Sequence, residues 1–123
     1  MVIIDPKEGV RFGNVTSLED MYREIGCDTI DITSRKVNGK KFDFIVDDEG
    51  LLKDNPRVSA VYAGTLEPAL VGTLIICSHD AGGHTTDISL KDHMLICDRV
   101  GCLVTKNKKT GKTYTNYVIQ LDG

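Results

Sequence analysis

All three histidines of the chain, His79, His84 and His93, fall within fifteen residues and are interspersed with Asp80, Asp87 and Cys97. Zinc takes three or four nitrogen, sulfur or carboxylate ligands at about 2 Å, and His93 and Cys97 stand four residues apart, on one face if the segment is helical. The spacing matches no zinc motif such as HExxH. A glycine-bearing loop such as HDAGGHTTD is polar in any case, so a metal site of His79, His84, His93 and Cys97 is the weaker alternative and no cofactor is expected. Cys77 lies two residues before His79, which places both on one face of a strand, with Asp80 next in line to orient an imidazole. Nothing nearby supplies an oxyanion hole, and the loop lacks the GKS/T ending of a phosphate-binding loop. A zinc- or cysteine-dependent hydrolase using residues 77–97 therefore stands as the alternative to a binding function.

Two other stretches suit anions. Asn55-Pro56 reads as the cap and first residue of a helix, whose free N–H groups and dipole would face the same side as Lys53 and Arg57. Tyr62, further along, offers a ring on which a base can stack. The lysine-rich stretch NKKTGK, with Lys108 and Lys109 at its centre, adds point charges for phosphate. Asn55, Arg57, Tyr62, Lys108 and Lys109 are thus the candidate ligand-binding residues. The acidic turn Asp47-Asp48-Glu49-Gly50 lacks the alternating oxygen ligands and distal glutamate of a calcium loop, and reads as a solvated strand end.

These residues are carried by a recognisable series of elements. Val2, Ile3 and Ile4 suggest a first strand, VRFGNV a second pass, and Thr16 with Glu19 a capping box for a helix that bears Leu18, Met21, Tyr22 and Ile25 and closes at Gly26. An alternating strand from Cys27 to Thr33 and another from Lys41 to Asp47 flank Asn38-Gly39, a hairpin signature, with Phe42, Phe44 and Val46 on one face. Val58, Val61 and Tyr62 suggest a short helix ended by Gly64, and LVGTLIIC a central strand covered on both faces. Ser89 opens a further helix with Leu90, Met94 and Cys97 along its core side. A C-terminal hairpin follows, about 102–106 and 113–121, with Thr115, Tyr117, Ile119 and Leu121 on one face. The expected fold is α+β: one domain over residues 1–123, a mainly antiparallel sheet, and two or three short helices packed on one face.

With 123 residues the chain suffices for one unstapled core. Its net charge of −3 gives no overall field toward an extended nucleic-acid surface or an anionic membrane. No segment approaches eighteen apolar residues and no basic leader precedes the first apolar run, which points to the cytoplasm. In that compartment Cys27, Cys77, Cys97 and Cys102 are expected as free thiols.

The succession SLEDMYREIG, alternating hairpin, IVDDEGLLKDNP and LVGTLIIC resembles the family of small phage and mobile-element proteins called domain of unknown function 3846. The resemblance rests on Gly26, Asp48, Glu49, Gly50, Leu52, Asn55 and Gly72 and covers roughly residues 1–97, with no counterpart for the hairpin from Cys102 onward. It implies no catalytic residues. It does imply an accessory protein of a phage or mobile element, in the host cytoplasm if phage-encoded, which acts by stoichiometric binding. The expected partners are a nucleotide-derived signalling molecule, sequestered as an anti-defence measure, or a host defence protein. A homo-oligomer is a further expectation.

Overall fold

The computed structural model describes residues 1–52 and 56–123. Its elements are β1 (Val2–Asp5), β2 (Gly9–Phe12), α1 (Leu18–Ile25), β3 (Ile30–Val37), β4 (Lys40–Asp47), a 3-10 turn (Gly50–Leu52), β5 (Val58–Tyr62), β6 (Pro68–Val71), β7 (Leu74–His79), β8 (Thr85–Thr86), α2 (Leu90–Cys97), β9 (Val100–Lys106) and β10 (Thr113–Leu121). One sheet runs β2-β1-β7-β4-β3, with β8 beside β7, and a second runs β6-β5-β10-β9. The pairing is antiparallel throughout except between β5 and β10. No helix among the described residues is long and apolar enough to cross a membrane.

Strand alternation explains the layering. Val2 and Ile4 of β1, Phe42, Phe44 and Val46 of β4, and Leu74 and Ile76 of β7 share a core with Ala60, Ile119 and Leu121 of the second sheet. Ile3, Ile45, Ile75 and Cys77, their sequence neighbours, point the other way and pack under Met21 of α1. The first sheet is therefore buried on both faces, which is why LIIC is apolar without a break. Each fully buried aliphatic side chain of this set contributes about 1.5–3 kcal/mol relative to exposure. Asn38 and Gly39, with φ of 51° and 82°, make the tight turn that sets Val37 opposite Lys40 and so fixes the β3–β4 register. Gly26, at φ 76°, closes α1, and its N–H bonds Tyr22 O.

Several expectations are corrected. The segment after Pro56 is not a helix: Val58, Val61 and Tyr62 belong to β5, inserted between β6 and β10. VSAVY is rich in β-branched residues, and strand pairing on both sides outweighs a two-turn helix of weak propensity. The proposed cap residue, Asn55, lies outside the described residues. LVGTLIIC is not one strand, because Gly72, at φ 77°, turns the chain between β6 of one sheet and β7 of the other. The cap of α1 is Ser17, which accepts from Asp20 N, one residue later than the Thr16–Glu19 box. Nor do the helices share a face: α1 covers the outer side of the first sheet, whereas α2 sends Ile96 into the core between the sheets. Leu90 and Met94, expected on the core side of α2, are exposed. The α+β class, the two helices and the C-terminal hairpin are as expected.

Candidate functional site

Where the ends of the two sheets meet α1, six segments enclose a cleft of about 330 Å³. Its lining comes from the β1–β2 turn (Asp5, Pro6, Lys7), the end of α1 (Ile25, Gly26), the end of β4 and the turn after it (Asp47, Gly50), the lead into β5 (Pro56, Arg57) and the β6–β7 turn (Gly72, Thr73). Gly72 N donates to Arg57 O at 2.7 Å and so ties the last two walls together. A β-carbon at Gly50 would come within 3.2 Å of Val71 Cγ2, so the turn lies this close to β6 because the residue is glycine. Gly26, Gly50 and Gly72, distant in sequence, thus come together here.

Arg57 is one of the lining residues, and its side chain is held against β10. Its Nε donates to Asn116 Oδ1, its Nη2 donates to Thr115 O at 2.9 Å, and the guanidinium lies over the Tyr114 ring at 4.6 Å from the centroid. Asn116 is fully buried and donates in turn to Thr105 Oγ1 at 2.7 Å and Leu103 O at 3.3 Å. The guanidinium has five N–H groups, and these two bonds leave three for a ligand. Lys7 provides a second cation and makes no ion pair among the described residues. The carboxylates of the lining are engaged by their own turns: Asp5 Oδ1 accepts from Lys7 N and Glu8 N, and Asp47 Oδ1 from Glu49 N. Arg11 lies 3.6 Å from Asp5 Oδ2, and its own pKa is raised first by the hydrogen bond to Glu24. An arrangement of this kind suits an anionic group.

The other expected ligand residues do not join Arg57. Tyr62 stands at the far end of β5, about 16 Å along an extended strand. It lines a different hollow with Gly64, Thr65, Glu67 and Gly123, and its hydroxyl accepts from Arg35 Nη1 at 3.4 Å. Lys108 and Lys109 sit exposed on the β9–β10 turn, outside the lining of the cleft. The helix dipole expected beside Arg57 is absent because β5 is a strand, so the anion-binding rationale passes to the guanidinium itself. Lys7, Tyr114 and Asn116 were not legible as site residues. Asn116 is a buried polar residue within the strand TYTNYVIQL, and its type alone does not say which cation it holds.

The histidines do not converge. His79 Nδ1 donates to Asp43 Oδ2 at 2.6 Å, His84 Nδ1 lies 3.3 Å from Asp80 Oδ1, and His93 Nε2 lies 3.6 Å from Asp87 Oδ1. Asp87 also receives the Met1 amine at 2.7 Å, and its pKa is lowered chiefly by that bond. Phe12 stacks on His93 with the rings 5.1 Å apart. Among the described residues no three His, Cys, Asp or Glu side chains are grouped as a metal would need. Burial pushes the Cys77 thiol up to about 12, with the Asp43 charge adding to it, so at neutral pH the sulfur stays protonated under α1. Cys97 is raised likewise, by burial and then by Asp98. None of the four cysteines takes part in a disulfide.

The chain belongs to the family described as Domain of unknown function (DUF3846), whose model matches residues 1–100. The match ends where β9 begins, so the C-terminal hairpin lies almost wholly beyond it. Neither the curated proteins nor the solved structures contain a match.

Proposed function

We propose that this member of the DUF3846 family works by stoichiometric binding, and that its cleft captures the phosphate of a small nucleotide-derived molecule. The observation that supports this reading is Arg57, whose guanidinium is positioned before any ligand arrives by a buried asparagine, a backbone carbonyl and an aromatic ring. A side chain already ordered loses less conformational entropy on binding, and a planar fork can hold two phosphate oxygens at once. Lys7 adds charge. The cleft volume is at the small end of ligand pockets, which suits a mononucleotide-sized part of a ligand. Origin in a phage or mobile element, and sequestration of a host signal as an anti-defence measure, complete the proposal. Catalysis by Cys77 is less well supported, because a thiol held near 12 supplies little nucleophile.

The test is calorimetric titration of cyclic dinucleotides and ADP-ribose derivatives into the wild type, Arg57→Ala, Arg57→Lys and Lys7→Ala. Arg57→Ala should lower affinity by roughly ten- to a hundredfold, the scale of a lost charge-assisted hydrogen bond. Arg57→Lys, which keeps the charge and loses the fork, should fall between that and the wild type. Lys7→Ala should cost less than either. No heat from any member of the panel would remove the nucleotide reading and leave a host protein as the partner to seek.

A further inference from the structure

A second concavity, of about 540 Å³, adjoins the cleft and differs from it in chemistry. One wall is the 3-10 turn, whose Leu51 and Leu52 are 78% and 82% exposed, and the other is β6, with Pro68, Ala69, Leu70 and Val71. Asp47, Asp48 and Glu49 form its rim, and no basic residue is among its described lining. β6 is an edge strand of the second sheet. The groove therefore suits an occupant that is apolar at its centre and positive at its margin.

The opposite edge of the same sheet carries that chemistry. On β9 and β10, Val100 and Ile119 pack into the core between the sheets, but Cys102 and Val104, on the same face by strand alternation, are exposed, Val104 at 65%. This face thus runs out past the body of the protein and ends in a turn bearing Lys106, Lys108, Lys109 and Lys112, with no acidic residue between them. Three strand spacings, about 14 Å, separate β9 from β6, and the two strands are opposite edges of one sheet. A chain therefore does not fill its own groove with its own hairpin.

We infer that the β9–β10 hairpin of one copy docks in the groove between the 3-10 turn and β6 of a second copy. Val104 lies against Leu51 and Leu52, the lysine stems extend over the apolar walls, and their ammonium groups meet Asp48 and Glu49. Such an interface is heterologous, joining one surface to a different one, so repetition closes a ring or extends a chain of subunits. Groove and cleft share Asp47 and Gly50, so a docked tip stands beside the neighbour's cleft. The inference does not depend on the identity of the cleft's ligand.

Sedimentation velocity of the full chain at low and high salt tests it. The wild type should sediment as an assembly at low salt and shift toward the monomer as salt screens the pairs. The reversal Lys108→Glu with Lys109→Glu, and separately Asp48→Lys with Glu49→Lys, should each give a monomer with an unchanged circular dichroism spectrum. An equimolar mixture of the two double variants should assemble again, because the acidic tip of one now faces the basic groove of the other. A monomeric wild type at low salt, assembly by either double variant alone, or a mixture that stays monomeric would each overturn the inference. Nucleotide titration of the monomeric variants reads the cleft separately, so loss of one property without the other tells the two ideas apart.

Discussion

The cleft beside Arg57 and the segment bearing the histidines relate sequence to space in opposite ways. Within residues 79–93 three imidazoles lie close along the chain, yet each turns to a different carboxylate: Asp43 on β4, Asp80 in its own loop, and Asp87 ahead of α2. The cleft draws Lys7, Gly26, Gly50, Arg57 and Gly72 from segments up to sixty-five residues apart, and Asn116, which steadies Arg57, from further still. In two packed sheets the places where several chain segments meet are strand ends, and long-range pairing decides which ends those are. The three histidines sit on β7, in the loop after it and on α2, and each is used in a separate local contact. The cleft instead gathers its residues from distant segments into one place.

Thiol reactivity should show the largest effect. With the Cys77 thiol near 12 against an ordinary 9, its thiolate is about a thousandfold scarcer at pH 8, and α1 blocks access as well. Exposed Cys102 should therefore be alkylated long before Cys77, which should react only on unfolding. Rapid alkylation of Cys77 in the folded protein would return the histidine segment to contention as a catalytic site. Next in size, Asn116→Ala strands the Arg57 Nε and the Thr105 hydroxyl and should cost about 1–3 kcal/mol in urea unfolding. It should also weaken ligand capture, although Asn116 is not in the cleft lining. Asp43→Asn, which removes the charge facing His79, should cost about 0–1 kcal/mol, because His79 is 59% exposed and the pair is screened by water. A larger loss from Asp43→Asn than from Asn116→Ala would reverse the comparison.

What could be read from the sequence was what local pattern controls. The Asn38-Gly39 hairpin, the closure of α1 at Gly26, the face made by Phe42, Phe44 and Val46, and the C-terminal hairpin each depend on neighbouring residues, and each is present. The misreadings occur where pairing partners decide. Val58, Val61 and Tyr62 have helical spacing, yet β10 and β6 claim them for a strand. On α2 the stripe of Leu90 and Met94 had the correct period but the wrong side, since Ile96 is the residue that reaches the core between the sheets. Arg57 was legible as a cation, but at the start of a helix where the structure has a strand. What holds it was not, because Asn116 lies fifty-nine residues away.

The smallest effect concerns the histidine segment's own loop, and it asks whether the imidazole or the backbone does the holding. The pKa of Asp80 is lowered from its ordinary 3.8, first by the backbone N–H of His84, with the Gly82 N–H and the His84 ring contributing less. A carboxylate lowered on folding stabilises the native state above its unfolded value, and that contribution disappears as pH falls through the folded value. The window is therefore below about pH 4, and the protein at neutral pH should not register it. Since the backbone bond leads, His84→Ala should leave most of the lowering in place, whereas Asp80→Asn should abolish the titration and loosen the turn at Gly82 and Gly83. Carboxyl carbon shifts followed by NMR from neutral pH into acid provide the measurement. An Asp80 midpoint in His84→Ala that returns to the ordinary value would mean that the ring carries the interaction, and the histidine segment would then hold one imidazole–carboxylate pair of more than local consequence.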